Sequence, residues 1–223
     1  MREQRLAGRI AGRASQAGVE IEASVACALA VYLKLLFRWN RRMNLTGLSE
    51  DDRGLDRLVV EPLVAAQRMP VEARSVVDIG SGGGSPAVPM KLMQPGLALR
   101  MVESRTRKAA FLRDVVRQLG LKDVVVEPCR YEELLTRPEL HEAADVVTVR
   151  AVHVDRLALE GLQTLLRVGG AFFLFRSTWE DDVGDDVRQS RHALQWLGTY
   201  PLVESLKSQL LVLEKKQDNT GPH

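Results

Sequence analysis

The sequence predicts an α/β fold, a mixed sheet of seven strands with helices on its faces and a helical extension before it. Three observations carry this. Short β-branched apolar runs alternate with helical stripes between residues 75 and 176, the pattern of successive βα units in a parallel sheet. A cluster of glycines follows the first of those runs, where a strand turns into a helix and bare backbone can approach a ligand. Two late runs, residues 199–205 and 209–215, are so close in sequence that they must pair antiparallel.

The chain has 223 residues, 45% of them apolar, which supports one core with a small appendage rather than two enzymatic domains. Residues 1–70 are read as an N-terminal arm and helical extension, 71–216 as the α/β domain and 217–223 as a loose tail. In the arm, Gly8, Gly12 and Gly18 lie among alanines and arginines, which predicts a frayed helix or a disordered segment. Ile21, Val25, Ala28, Leu29, Tyr32, Leu33 and Leu36 then recur at helical spacing as far as Trp39. Residues 40–47 break that pattern, and a second helix covers residues 51–68, stopped by Pro70.

Ser75 to Ile79 reads as a strand buried on both faces. Ser85 is placed to cap the helix after it, and Pro86 suits that helix's first turn. The next strand covers residues 97–103 and the next helix runs from an N-cap at Ser104 to a stop at Gly120, with Ala109, Leu112, Val115, Val116 and Leu119 facing the sheet. Strands at 124–127, 145–149 and 171–176 alternate with helices at 131–135 and 155–166. An acidic segment at 179–186 and a helix to about Leu197 precede the final pair.

The glycine cluster narrows the ligand. A dinucleotide-binding turn requires Gly-x-Gly-x-x-Gly, which would put glycine at position 85, where this chain has serine. Here Asp78 precedes Gly80, Gly82 and Gly84 in the Gly-x-Gly-x-Gly spacing of proteins that bind S-adenosyl-L-methionine (SAM). Charge favours the same choice, because an acid at the strand end attracts a sulfonium and an ammonium and repels a pyrophosphate. Glu103 ends the second strand and is placed to accept hydrogen bonds from two ribose hydroxyls. No Gly-Lys-Ser/Thr comes after the glycines, so a Walker phosphate loop is excluded.

Composition restricts the partners. The net charge of +2 does not by itself require a nucleic acid, but Arg2, Arg5, Arg9 and Arg13 share a helical face, and Arg38, Arg41, Arg42, Arg53 and Arg57 cluster before the glycine loop. Together with Trp39 they read either as a solvated face or as a phosphate-and-stacking surface. Cys27 and Cys129 are far apart, the four histidines form no metal constellation, and no run is apolar and long enough for a membrane span or a secretory signal. The expected setting is cytoplasmic, with no metal.

Taken together, the chain resembles the bacterial small-subunit ribosomal RNA guanine-N7 methyltransferases, the glucose-inhibited division protein B family. The resemblance rests on Trp39-Asn40 with Asn44-Leu45-Thr46, on residues 78–89 with both Pro86 and Pro89, on Val102-Glu103-Ser104 with Lys108 and residues 111–113, on residues 130–133, and on Val149-Arg150-Ala151. It implies a Rossmann-like SAM-dependent methyltransferase fold in which Gly80, Ser85, Glu103, Tyr131, Glu132 and Arg150 contact SAM, with the backbone of Tyr131 and Glu132 at the adenine. Asp78, Ser81, Gly82, Gly84, Ser104 and Arg130 complete the candidate cofactor set, and Arg150 and Asn44 are the candidate catalytic residues. The partner it implies is small-subunit ribosomal RNA or the ribosomal subunit, held through Arg38, Trp39, Arg41 and Arg42. Three departures fall outside the cofactor core of the pattern or at its margin. The family's Arg-His-x-x-Asp-Ser segment is Arg57-Leu58-Val59-Val60-Glu61-Pro62 here, its Lys-Gly after the fifth strand is Arg176-Ser177, and Gly83 fills a slot that often holds proline or alanine. A methyltransferase of another substrate and a SAM-binding module without turnover are the alternative readings.

Overall fold

A computed structural model describes residues 2–152, 154–177 and 193–217. Of the two expectations for the N-terminal segment the helix is met: α1 (Arg2–Gln16) is regular over its length and the segment is not disordered. Ala7, Ile10 and Ala14 recur at three- and four-residue spacing and are buried in the main core. Gly8 and Gly12 lower helix propensity, but tertiary contacts override it. Arg13 forks onto the buried carboxylate of Asp56, with both nitrogens at 2.5 Å, and Arg9 reaches Asp52 at 2.7 Å.

Helix α2 (Ala23–Met43) buries Ala26, Leu29, Tyr32, Leu33 and Leu36 and continues past the break expected at Asn40. Its end is Asn44, in the left-handed conformation at φ 49°. Asn40 does not interrupt the helix, because its side-chain oxygen accepts the Thr46 N–H at 2.9 Å and folds the exit turn back on the last helical turn. The expected helix at 51–68 is α3 (Asp52–Leu55), a π turn (Asp56–Val60) and α4 (Glu61–Ala66) in direct succession. A π turn adds a residue to one helical turn and so rotates the next turns of the helix about its axis. Asp56 and Glu61, at the two ends of this one, are both buried.

The sheet and its connecting helices run β1 (Ser75–Ile79), α5 (Ala87–Met93), β2 (Ala98–Val102), α6 (Thr106–Leu119), β3 (Val124–Glu127), α7 (Tyr131–Leu135), β4 (Ala144–Arg150), α8 (Arg156–Leu162), β5 (Leu166–Ser177), β6 (Leu194–Pro201) and β7 (Ser208–Lys215). The strand order is β3-β2-β1-β4-β5-β7-β6, with the first five strands parallel and β7 antiparallel to β5 and β6. The seven-stranded mixed sheet is thus present, with its order reversing between β1 and β4, where open α/β sheets hold their ligands.

Several boundaries differ from expectation. Strand β5 starts at Leu166 and runs through Gly169 and Gly170, with a register irregularity opposite β4 between Ala144 and Val146. Leu197 lies in β6 and not at the end of a helix, because the β7 ladder pairs residues from Leu194 onward. Ser205 lies in a short turn and not in a strand. The Asp155 side chain caps α8 by accepting the Ala158 N–H at 2.8 Å, and a 3-10 turn replaces the expected last turn of that helix. The acidic segment at 179–186 and most of the helix expected after it lie outside the described residues.

Strand alternation divides the apolar side chains between two cores. Val146, Ala171, Phe173 and Phe175 face α1, α2, α4, α5 and α6, whereas Val147, Val149, Phe172 and Leu174 face α7 and α8. The N-terminal helices therefore share a core with the sheet. Among the described residues no helix is long and apolar enough to cross a membrane.

Candidate functional site

At the switch point, register pairs Asp78 on β1 with Thr148 on β4. The Thr148 hydroxyl donates to Asp78 Oδ1 at 2.6 Å, and the other carboxylate oxygen, Oδ2, is buried with no hydrogen-bond partner. Burial pushes the Asp78 carboxyl up to about 6 against the opposing pull of that hydrogen bond. A buried acid with one free oxygen beside a glycine turn suits a cationic ligand group.

The turn is held from below. Gly80 and Ser81 donate their N–H groups to Val102 O at 2.9 and 3.0 Å, and the Ser81 hydroxyl donates to Asp78 O at 3.0 Å. Two glycines have different roles. Gly84, at φ 85°, is packed: a Cβ there would meet Val88, Leu112 and Tyr32 at 3.0, 3.3 and 3.4 Å. Gly82, at φ 50°, faces open space apart from Gly80 O, Lys108 Nζ and Glu103 Oε2 at 3.6 to 4.0 Å. Gly84→Val is therefore expected to lower the melting temperature sharply, and Gly82→Val, strained at its positive φ but meeting no close atom, to lower it less and leave a folded protein whose SAM binding is lost, since the new side chain occupies the ligand's approach. Thermal melts alongside calorimetry check both, and unaltered SAM affinity in Gly82→Val would make the loop purely structural.

Glu103 comes directly after β2 and is buried. Its Oε2 accepts the Gly82 N–H at 2.9 Å and its Oε1 the Arg105 N–H at 2.8 Å. This corrects the expected N-cap, because α6 is capped at Arg105 and the acid, not the exposed Ser104, accepts that N–H. A carboxylate offers about four acceptor positions, so two remain free for a ligand's hydroxyls. Glu103→Ala is expected to weaken SAM binding by about 1.5–3 kcal/mol, the range for hydrogen bonds to a charged group. Equal affinity of mutant and parent by calorimetry would remove the ribose assignment.

Behind the loop is a network that sequence reasoning did not foresee. The Tyr32 hydroxyl donates to Gly83 O at 2.6 Å, and burial raises its pKa well above the ordinary phenol value. Ser85 does not cap α5; its hydroxyl donates to Leu58 O at 2.8 Å and accepts from Arg150 Nη1 at 2.7 Å, because the π turn brings that carbonyl to it. Arg150 also donates to Arg57 O at 2.5 Å and faces Glu61 at 3.2 Å, while Arg57 donates to the other Glu61 oxygen at 2.7 Å. Arg150 thus braces the loop through Ser85 and the π-turn helix, with its guanidinium also 5.9 Å from the Phe175 ring centroid. Tyr32, Glu61 and Thr148 carry no local sequence signal, since each reaches its partner only through the fold.

Tyr131 lies half-buried at the start of α7 between exposed Arg130 and Glu132, and the Glu133 carboxylate accepts the Arg130 N–H at 3.0 Å. Asn44 is exposed in the turn after α2, and the adjacent Leu45 O lies 4.0 Å from where a Cβ on Gly83 would stand. Arg38, Arg41 and Arg42 are exposed on α2. Arg57 is not part of that surface, being paired with Glu61, and neither is Arg13.

The comparisons with known proteins agree with this geometry. The family described as GidB, rRNA small subunit methyltransferase G, matches residues 26–208. "Ribosomal RNA small subunit methyltransferase G" of Roseiflexus sp. (strain RS-1) is 36% identical over 169 residues, 76% of this chain and 71% of that protein. The protein of the same name from Carboxydothermus hydrogenoformans is 31% identical over 210 residues, 91% of this chain and 88% of that one. In fold the chain is similar to a SAM-dependent methyltransferase from Aquifex aeolicus, with TM-score 0.54 and 14% identity over 74% of this chain and 93% of that one. It is also similar to the mitomycin 7-O-methyltransferase MmcR, with TM-score 0.58 and 18% identity over 86% and 71%.

Proposed function

The chain belongs to the GidB family, rRNA small subunit methyltransferase G, and on that premise we propose that it methylates N7 of a guanine in small-subunit ribosomal RNA, in the cytoplasm, with SAM as donor. The observation that carries the cofactor is the pairing of Glu103 with the Gly82 N–H across the glycine turn, beside the unpartnered oxygen of Asp78. Glu103 would hold the ribose hydroxyls, the Gly82 turn the chain of the cofactor, Asp78 its ammonium, and the Tyr131 and Glu132 backbone the adenine. SAM supplies an electrophilic methyl group on a sulfonium.

Guanine N7 carries an in-plane lone pair and no proton, so its attack needs no general base. The protein's share is to hold the base in line, keep the glycine turn rigid and exclude water. This fits a site in which burial and neighbouring Glu127 raise the Cys129 thiol, leaving no activated thiolate there. Arg150 fixes the turn through Ser85. Arg38, Arg41, Arg42 and Trp39 supply the approach for RNA. Incubation with labelled SAM and small-subunit particles, followed by nucleoside mass spectrometry, tests the reading. The expected product is 7-methylguanosine, and label in any other nucleoside or in protein overturns it.

A further inference from the structure

On the two sides of α2 lie open grooves of similar size, and Arg38 lines both. The groove towards α6, about 910 Å³, is lined by Arg38, Arg42, Arg113 and Arg117 against one acid, Asp114. The groove towards α1, about 930 Å³, is lined by Arg5, Arg9, Lys34, Arg38 and Arg41 against Glu3 and Glu50. Between them Lys34, Arg38, Arg41 and Arg42 form the exposed crest of the helix. In a chain with a net charge of only +2, these two grooves set eight cations against three acids. The acids do not neutralise the ridge: Lys34–Glu3 at 2.7 Å is an exposed pair that opens at little cost, and the mostly buried Asp114 is one carboxylate shared by Arg38, Arg117 and Trp39.

The surface offers charge without stacking. Among the described residues Trp39 is the one aromatic side chain lining either groove. Its indole N–H donates to Asp114 at 3.0 Å and its ring meets Phe111 edge-on at 5.8 Å. Single-stranded RNA is held by bases stacked on free aromatic faces, whereas double-stranded RNA is read through its phosphates and 2′-hydroxyls across a wide, shallow minor groove. A helix is about 10–12 Å across with its side chains. We infer that the C-terminal half of α2 is the seat of a base-paired RNA stem, its crest against the minor groove and one phosphate strand in each flanking groove. This rests on the RNA-methyltransferase reading above. The ridge ends at Met43, which lines the α6 groove, and Leu45, two residues on, abuts the glycine turn, so a docked stem brings the adjoining nucleotide to the cofactor cleft.

The test measures fluorescence anisotropy of three probes over a salt series: an RNA duplex of about sixteen base pairs, one of its strands alone, and the same sequence as duplex DNA. Two double variants accompany the parent protein, Arg113→Ala with Arg117→Ala for one groove and Arg5→Ala with Arg41→Ala for the other. The RNA duplex is expected to bind tightest, and each double variant to lose about ten-fold and to flatten the slope of log K on log salt by about 1.5 to 2. SAM affinity by calorimetry should be unchanged in both variants. Equal or tighter binding of the single strand, equal binding of duplex DNA, or an effect confined to one groove overturns the stem. If 7-methylguanosine still forms on particles in that case, the methyltransferase reading stands; absence of methyl transfer with duplex binding intact sinks that reading and leaves the ridge.

Discussion

Arg150→Met is expected to lower the stability of the folded protein by about 3–5 kcal/mol, the cost of removing one partner of a buried pair. Burial pulls the Arg150 guanidinium down to about 10, and it remains charged at neutral pH because Glu61 offsets the desolvation. Its side chain is 9% exposed and that of Glu61 is wholly buried, so water cannot take over when the cation is lost. Glu61 keeps Arg57 on one oxygen, while Oε2 already lacks a hydrogen bond and faces Arg150 only as an ion pair. The double variant Arg150→Met with Glu61→Leu should recover most of the loss, because neither charge is then stranded. Urea unfolding of the two singles and the double measures this, and a loss below about 1 kcal/mol in Arg150→Met would mean that the pair behaves as a surface pair. SAM affinity should fall with the single variant, because Ser85 loses its donor and the glycine turn its brace.

What the sequence made legible was local. The strands at 75–79 and 124–127 and the helix at 131–135 have the expected ends, because each apolar run is bounded by glycine, proline or charge within a few residues. The positions of Asp78, Gly82 and Glu103 within one βαβ unit were legible for the same reason. What was hidden depends on separation along the chain. Tyr32 and Gly83 are 51 residues apart, and Arg150 and Arg57 are 93 apart. Ser85 illustrates the cost of local reasoning: its type and place fit an N-cap, yet the π turn offers it the Leu58 carbonyl and Arg150 a donor. Helix α1 is more regular than its glycines suggest, because the Arg13–Asp56 fork and a three-residue apolar stripe outweigh their low helix propensity.

Asp78→Asn is expected to stabilise the ligand-free protein by about 1–3 kcal/mol at neutral pH while weakening SAM binding at least ten-fold. The acid titrates near 3.8 when exposed and at about 6 in the fold, where burial opposes its charge. Between those values the folded state holds a proton that the unfolded state has released, so stability is full below about 4 and is lost as pH rises through about 6. At roughly 1.4 kcal/mol per pKa unit the shift corresponds to about 3 kcal/mol. Asparagine keeps the oxygen that accepts from Thr148 and removes the charge, but leaves an amide nitrogen without a partner, which trims the gain. The same logic fixes the sign for the ligand: an ammonium near Oδ2 favours the ionised acid, so SAM affinity of the parent protein should climb as pH rises from about 5 and level off above about 6.5. Asp78→Asn should show no such climb, and its gain in melting temperature should vanish near pH 4. Calorimetry and thermal melts over that range decide it; a parent affinity indifferent to pH would separate Asp78 from the cofactor, and a melting temperature unmoved by the substitution at neutral pH would mean that the buried acid carries no penalty.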